Sequence, residues 1–288
     1  MLKAVVISDL HGVFSDSLRR AIIGEEPDII LCCGDVTPFR LKEAFFEYIY
    51  ADYDQEKHLW DYIGKPRYRS ETRKDLADAM RVLAALDDLP FPVRFVPGNN
   101  DNPLWEQERR PERMYDEPEW EWVHQNSLDD FVMDLFGVKD ISYGADIVGD
   151  YVFIGYPASN SPGHVQSDVY RRHRRWLDNV FSEFERKKHE DKSIVFVCHN
   201  GPHETKTDLI TAEGADERAR GEHYGSKLAR RIIERYQPTV CVHGHIDEGR
   251  GTDRIGDTDI VNVGPGSEGY YGVLTIDDGC EIVLDQVS

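Results

Sequence analysis

The sequence predicts an α/β fold on three observations. Six short β-branched runs, at 3–8, 29–33, 93–96, 152–156, 193–198 and 239–243, are separated by stretches with a helical apolar period. Past residue 250 the helical stretches stop, and strand-like runs at 258–263, 270–276 and 281–284 follow one another across Gly, Asp and Pro. Five of the first six runs lead into Asp, Asn or His. Alternation closed by consecutive strands suggests an α/β core whose sheet becomes partly antiparallel at the end.

The first run, KAVVIS, begins two residues after Met1, with no charged leader, long apolar stretch and small-residue cleavage site before it. Helical patterns at roughly 16–24, 71–89, 167–190 and 222–236 gather apolar residues on one face and charge on the others. Two segments break the alternation. Residues 51–70 are mixed polar and aromatic, and 102–127 are irregular chain carrying Trp105, Trp120 and Trp122. Excursions of that length serve as lids, binding surfaces or mobile loops, and the tryptophans either cover the domain edge or contact a substrate or subunit. No internal repeat or low-complexity tract is visible.

A chain of 288 residues, 40% hydrophobic and 11% aromatic, can bury a large core. One elaborated domain over 1–288, with insertions at about 51–70 and 102–127, is expected. The formal charge of −20, from 54 Asp and Glu against 34 Lys and Arg, repels nucleic-acid backbone and anionic lipid. Neither non-specific nucleic acid nor a membrane is therefore an expected partner. No run approaches the ~18 apolar residues of a membrane span, and a cytoplasmic location is expected. Five cysteines, an odd number without a CxxC pair, agree with that. Cys32, Cys33, Cys198 and Cys241 sit in apolar runs and read as small buried hydrophobes.

The chemistry lies where the strands end. The first run leads into Asp9-Leu10-His11-Gly12, the second into Gly34-Asp35 and the third into Gly98-Asn99-Asn100-Asp101. The fifth leads into His199-Asn200-Gly201 and the sixth into His243-Gly244-His245-Ile246-Asp247. Sites in α/β sheets form beyond the carboxyl ends of strands, where residues distant in sequence converge. Positions i and i+2 of an extended chain share a side, so Asp9 with His11, and His245 with Asp247, face one centre. Each residue alone is an ordinary turn former. Together, carboxylate, imidazole and carboxamide without thiolate suit Mn²⁺, Fe²⁺ or Zn²⁺. There is no GxxxxGK[ST] or GxGxxG loop, and Gly266-Ser267-Glu268-Gly269 follows Pro265 and fails the GxSxG elbow.

These blocks resemble the calcineurin-like metallophosphoesterases, whose pattern is DxH, GDxx, GNH[DE], a lone strand-end His and GHxH. The chain presents Asp9-Leu10-His11, Gly34-Asp35-Val36-Thr37, Gly98-Asn99-Asn100-Asp101, His199 and Gly244-His245-Ile246-Asp247 in that order. Residues 199–208, 221–227, 243–249 and 262–266 are similar to the Icc-related subgroup. The resemblance implies a four-layer α/β/β/α sandwich of two mixed sheets and a dinuclear metal site. Asp9 and His11 would hold one ion, Asn99, His199 and His245 the other, and Asp35 would bridge. Two cations ~3.5–4 Å apart make a shared water acidic enough to attack phosphorus in line, and they clamp the phosphate oxygens.

Two positions depart from the family's pattern. Asn100 replaces the histidine that stands near the leaving-group oxygen, with Asp101 as the following acid that orients it or caps a turn. A carboxamide donates hydrogen bonds but supplies no proton, so leaving groups that need protonation suffer by about 10²–10⁴-fold. That favours diesters over monoesters. Asp247 replaces the second histidine of GHxH; as a ligand it would favour a harder ion such as Mn²⁺ over Zn²⁺, and as a non-ligand it fits family branches that lack this position. Two divalent ions are expected, Mn²⁺ first, with Fe, Zn or Ni as alternatives. His243 is expected to pack behind the site. Lys206, His203, His223 and Tyr224 are candidates to touch substrate phosphate, whereas His58, His124, His164, His173 and His189 receive no role.

The function expected is a dinuclear-metal phosphodiesterase acting on a small nucleotide-like or aryl diester, with self-association left open. The alternatives are a phosphomonoesterase, a nuclease disfavoured by the charge, and a non-catalytic scaffold of the same fold.

Overall fold

The computed structural model describes residues 1–50, 59–101, 127–157, 165, 167–186, 192–213, 217, 219–277 and 279–288. The strands are β1 (Leu2–Ile7), β2 (Ile29–Cys32), β3 (Val93–Phe95), β4 (Val138–Asp140), β5 (Ala145–Val148) and β6 (Tyr151–Tyr156). They continue with β7 (Ser193–Asn200), β8 (Val240–Gly244), β9 (Gly251–Ile255), β10 (Thr258–Asn262), β11 (Tyr270–Ile276) and β12 (Cys280–Gln286). The helices are α1 (Asp16–Glu25), α2 (Lys42–Phe45), α3 (Leu59–Ile63), α4 (Lys65–Asp87), α5 (Ser127–Met133), α6 (Asp168–Arg186) and α7 (Lys227–Tyr236).

The strands form two sheets of six, ordered β12-β11-β1-β2-β3-β4 and β5-β6-β7-β8-β10-β9. In the first, β1 to β4 run parallel and β11 lies antiparallel to both of its neighbours, β1 and β12; in the second, β6, β7, β8 and β10 are parallel between antiparallel edges β5 and β9. Both sheets are therefore mixed.

Side-chain alternation builds the layers. From β1, Val5 and Ile7 join Leu18 and Ile22 of α1 and Ala79, Val82, Leu83 and Leu86 of α4 in one core. Leu2, Ala4 and Val6 point the other way, into a core shared with Val195 and Val197 of β7 and Val240 and Val242 of β8. Phe196, Cys198 and Cys241 then face Leu177 and Phe181 of α6 and Leu228, Ile232 and Ile233 of α7. The order of layers is thus helix, sheet, sheet, helix. The central strands are apolar on both faces because both faces are covered. Cys32, Cys33, Cys198 and Cys241 are buried free thiols, and burial pushes Cys32 up to about 12.

Several boundaries differ from the sequence reading. The second half of the 51–70 insertion is helical: α3 and the first turns of α4 occupy it, and 51–58 lie outside the described residues. The helix expected over 222–236 starts at Lys227, because Ser226 caps it by accepting from Ala229 N, worth ~1 kcal/mol. Residues 221–226 instead pair with the chain after β7, through Ser226 N to Gly201 O and Tyr224 N to Asp208 O. The short strands β4, β5 and β9 escape the sequence reading because they are three to five residues long and carry charge. Residues 102–126, with Trp105, Trp120 and Trp122, lie outside the described residues, as do His58, His124, His164 and His189. Among the described residues, no helix is long and apolar enough to cross a membrane.

Candidate metal centre

The loops leaving β1, β2, β3, β7 and β8 meet at one end of the two sheets. Their backbones are forced into a conformation that L residues rarely adopt: Asp9, His11, Asp35 and His245 have φ of 52°, 43°, 51° and 70°. Each such residue costs ~1–2 kcal/mol, which tertiary structure sustains and which clusters at functional sites. Hydrogen bonds hold the loops together: Asp9 N donates to Gly34 O, His11 N to Asp35 O and Gly12 N to Val36 O. The loop after β2 is also braced by Arg40, which pairs with the buried Asp75 and Asp78 of α4.

Two glycines set the approach of the elements. A Cβ at Gly98 would lie 2.1 Å from Asp35 Oδ1 and 2.7 Å from His199 Cε1. At Gly244 it would lie 2.1 Å from Asp9 Oδ2. Only glycine lets the backbone of β3's loop and of β8 lie against these groups.

His199 is fully buried, and its Nδ1 lies 2.8 Å from the Cys33 carbonyl, which only accepts. The ring therefore donates from Nδ1, and in its neutral form Nε2 carries a lone pair. That lone pair faces Asn99 Oδ1 at 2.9 Å, His245 Nδ1 at 3.1 Å and Asp35 Oδ1 at 3.5 Å. His11 repeats the pattern, with Nδ1 3.3 Å from Thr37 O and Nε2 3.9 Å from Asp9 Oδ1. A ring nitrogen fixed by a backbone carbonyl while the other faces carboxylates is the usual arrangement of a metal-bound histidine.

Two groups of potential ligands result: Asp35 with His199 and His245, and Asp9 with His11 and Asp35. In each, the ligand atoms lie within 4.8 Å of one another, and Asp35 belongs to both. Burial raises the Asp35 carboxyl well above its ordinary range, and Asp101 and Asp9 push in the same direction. Burial likewise drives the His245 imidazole well below its ordinary value, with His199 adding to it. Among the described residues, the ion-pair partners of Asp9 and Asp35 are histidines, not lysine or arginine. Buried carboxylates without a cation are costly, and two divalent ions sharing Asp35 would remove that cost. The donor set fits such a pair.

Asn100 is turned toward Asp35. Its backbone N–H donates to Oδ1 at 2.8 Å and its side-chain amide to Oδ2 at 2.9 Å, while its own Oδ1 accepts from Asn99 at 3.0 Å. Asp101, expected to orient Asn100 or to cap a turn, bonds the backbone. Its carboxylate is buried and accepts from Thr37 N at 2.9 Å and Gly98 N at 2.8 Å, which caps the turn. Asp247 lies outside the two compact groups, at the exposed start of the short turn Asp247–Gly249. Crowding by protein and the charge of Asp9 push its carboxyl up to about 6, an effect that water at the rim screens.

His243 is fully buried behind the centre, with Nε2 3.0 Å from Thr207 Oγ1. Burial lowers it from 6.5 to about 4. A histidine whose folded value is depressed contributes stability above its unfolded value and loses it as pH falls through the folded one, here between about 6.5 and 4. The loss is on the order of 3 kcal/mol. In urea titrations of the metal-free protein, His243→Gln is expected to weaken less than wild type over that window; parallel curves would show that His243 is not buried neutral.

Of the other candidates, Lys206 is exposed, with its backbone N–H on Asp253 at 2.8 Å. His203 and His223 both face Asp208, at 3.6 Å and 2.7 Å. The sequence reading gave Asp208 no role, although it is fully buried. Its signal was a carboxylate in the TKTD stretch between two histidine-bearing segments. His173 is buried on α6 against Tyr143 and Trp176, away from the centre.

Comparison with known proteins follows the same lines. Residues 2–248 match the family described as calcineurin-like phosphoesterase. The chain is 26% identical over 290 residues to MJ1162 of Methanocaldococcus jannaschii, described as uncharacterised, with 96% of each chain covered. One crystal structure superimposes with a TM-score of 0.67 at 18% identity over 99% of both chains. The structure of TT1561 of Thermus thermophilus gives 0.53 at 16% identity, over 99% of this chain and 98% of that one. At those identities the two structures speak for the fold.

Proposed function

This chain belongs to the calcineurin-like phosphoesterase family, and on that premise we propose that it is a metal-dependent hydrolase of phosphodiesters. The observation that carries the reading is the pair of largely buried donor groups sharing Asp35. When bound, two divalent ions would supply an acidified water and neutralise the phosphate's charge. Asp9, His11 and Asp35 would hold one ion and Asp35, Asn99, His199 and His245 the other, with Asp247 at the mouth of the first. The oxygen-rich donors favour Mn²⁺.

The chain's own residues set the rest. Asn100 fixes both oxygens of Asp35, and the carbonyls of Thr37 and Cys33 fix the rings of His11 and His199. Asn100 keeps one amide N–H for a phosphate oxygen but has no proton to release. A diester, with its single negative charge, suits a strongly acidic protein better than a dianionic monoester. The loops over 199–208 and 221–227 support placement in the Icc-related subgroup, and a small nucleotide-like diester in the cytoplasm is the substrate class we infer.

With Mn²⁺, the protein is expected to hydrolyse bis-p-nitrophenyl phosphate faster than p-nitrophenyl phosphate. Faster turnover of the monoester would overturn the diester preference, and turnover of neither would overturn the hydrolase reading.

A further inference from the structure

The loop between β7 and α7 starts two residues after His199, at Gly201, and lies along the turn that follows His245. Asn262 Nδ2 donates both to Thr207 O at 3.3 Å and to Ile246 O at 2.8 Å, and Ala212 N donates to Glu248 Oε1 at 3.3 Å. A Cβ at Gly249 would stand 2.2 Å from Thr207 O. One carboxylate organises the loop. Asp208 accepts from the N–H groups of Thr205, Gly225 and Glu204 at 2.7, 2.9 and 3.0 Å, from Thr205 Oγ1 at 3.1 Å and from His223 Nδ1 at 2.7 Å. Burial pushes this carboxyl up, but those donors outweigh it and hold it below the ordinary range.

A carboxylate so placed accepts a hydrogen bond from His223 Nδ1–H, which keeps that proton on Nδ1 and leaves Nε2 to exchange protons with solvent or substrate. The His223 side chain is 34% exposed, and among the described residues Nε2 has no hydrogen-bond partner. The same Asp208 is linked through Thr205 Oγ1 and Thr207 Oγ1, 2.9 Å apart, to Nε2 of His243, 3.0 Å from Thr207 and packed behind the centre. His203 lacks this arrangement: its Nδ1 stands 3.6 Å from Asp208, beyond hydrogen-bond reach.

We propose that His223, oriented by Asp208, protonates the leaving-group oxygen, the task that Asn100 leaves unfilled. The proposal rests on the phosphodiesterase reading above. As water adds to phosphorus, the ester P–O bond breaks and its electron pair stays on the departing oxygen. That oxygen takes the Nε2 proton of the His223 imidazolium, which becomes the neutral imidazole with its Nδ1–H still on Asp208; the water's surplus proton passes to solvent, and a solvent proton returns to Nε2 before the next turnover.

The test compares wild type and His223→Gln, both with Mn²⁺, on bis-p-nitrophenyl phosphate, whose leaving group needs little help, and on diphenyl phosphate, whose leaving group needs more. The variant should lose about 10²-fold or more in kcat/KM on diphenyl phosphate and less than about 10-fold on the nitrophenyl ester. Equal losses on both esters, or no loss, overturn the proposal. So does a wild type that cleaves the nitrophenyl ester but not diphenyl phosphate. A wild type that cleaves neither overturns the phosphodiesterase reading instead. Independently of turnover, long-range ¹H–¹⁵N spectra of the metal-free protein should show neutral His223 protonated on Nδ1; the Nε2–H tautomer contradicts the dyad.

Discussion

Replacing Asp35 by asparagine is expected to abolish diester hydrolysis and to deprive both donor groups of their shared ligand. Asp35 is buried between Asp9 with His11 on one side and His199 with His245 on the other, and among the described residues it alone belongs to both groups. The same substitution should act with the opposite sign on the metal-free protein. Burial, Asp101 and Asp9 raise the folded Asp35 value above the unfolded one of 3.8. The folded state then holds a proton that the unfolded state releases, and stability falls as pH rises from about 3.8 through the folded value. Thermal melts in chelator should show this descending limb in wild type and its loss in Asp35→Asn. A variant that keeps turnover, or a limb that survives, would mean that Asp35 is not the buried, shared carboxylate described here.

Gly98→Ala should have the second largest effect. Gly98 has no unusual φ, so the cost is steric: the new methyl would meet Asp35 Oδ1 at 2.1 Å, Asp35 N at 2.5 Å and His199 Cε1 at 2.7 Å. Contacts under 3 Å with backbone and buried ring atoms require the loops after β2, β3 and β7 to separate. Overpacking of this kind costs about 1–3 kcal/mol, and here it also spreads the ligand atoms that must converge. Urea unfolding should show that loss while Mn²⁺ binding weakens strongly. Wild-type behaviour in both assays would show that the approach of Gly98 to Asp35 is looser than the structure has it.

Much of the centre was legible because each contributing strand is an apolar run that ends on a polar residue. Asp9, His11, Asp35, Asn99, His199 and His245 stand at those ends, and the rule that such ends converge in α/β sheets needs no knowledge of strand order. The order itself was not legible. That β11 returns beside β1 while β10 stays beside β8 is a choice between non-local pairings, and nothing within either strand encodes its neighbour. Backbone strain was equally hidden. Asp9, His11, Asp35 and His245 are not glycines, and their left-handed conformation follows from hydrogen bonds to loops far away in sequence.

Asn100 and Asp101 were legible only in part. Asn100 lacks a proton to give, as its residue type says, but its grip on both oxygens of Asp35 was hidden, and of the two tasks open to Asp101 the folded loops show the turn cap, because the partners come from distant loops. Asp208 was missed for the reverse reason. It lies within a polar loop where an aspartate is ordinary, and only the folded loop gathers three amides, a hydroxyl and an imidazole around it.

The central claim is that the strand ends form a dinuclear centre held together by Asp35. Equilibrium dialysis against Mn²⁺ with elemental analysis, on wild type and Asp35→Asn, tests it directly. The account predicts two ions per chain in wild type and fewer than one in the variant. One ion or none per wild-type chain, or the same stoichiometry in both proteins, would contradict it.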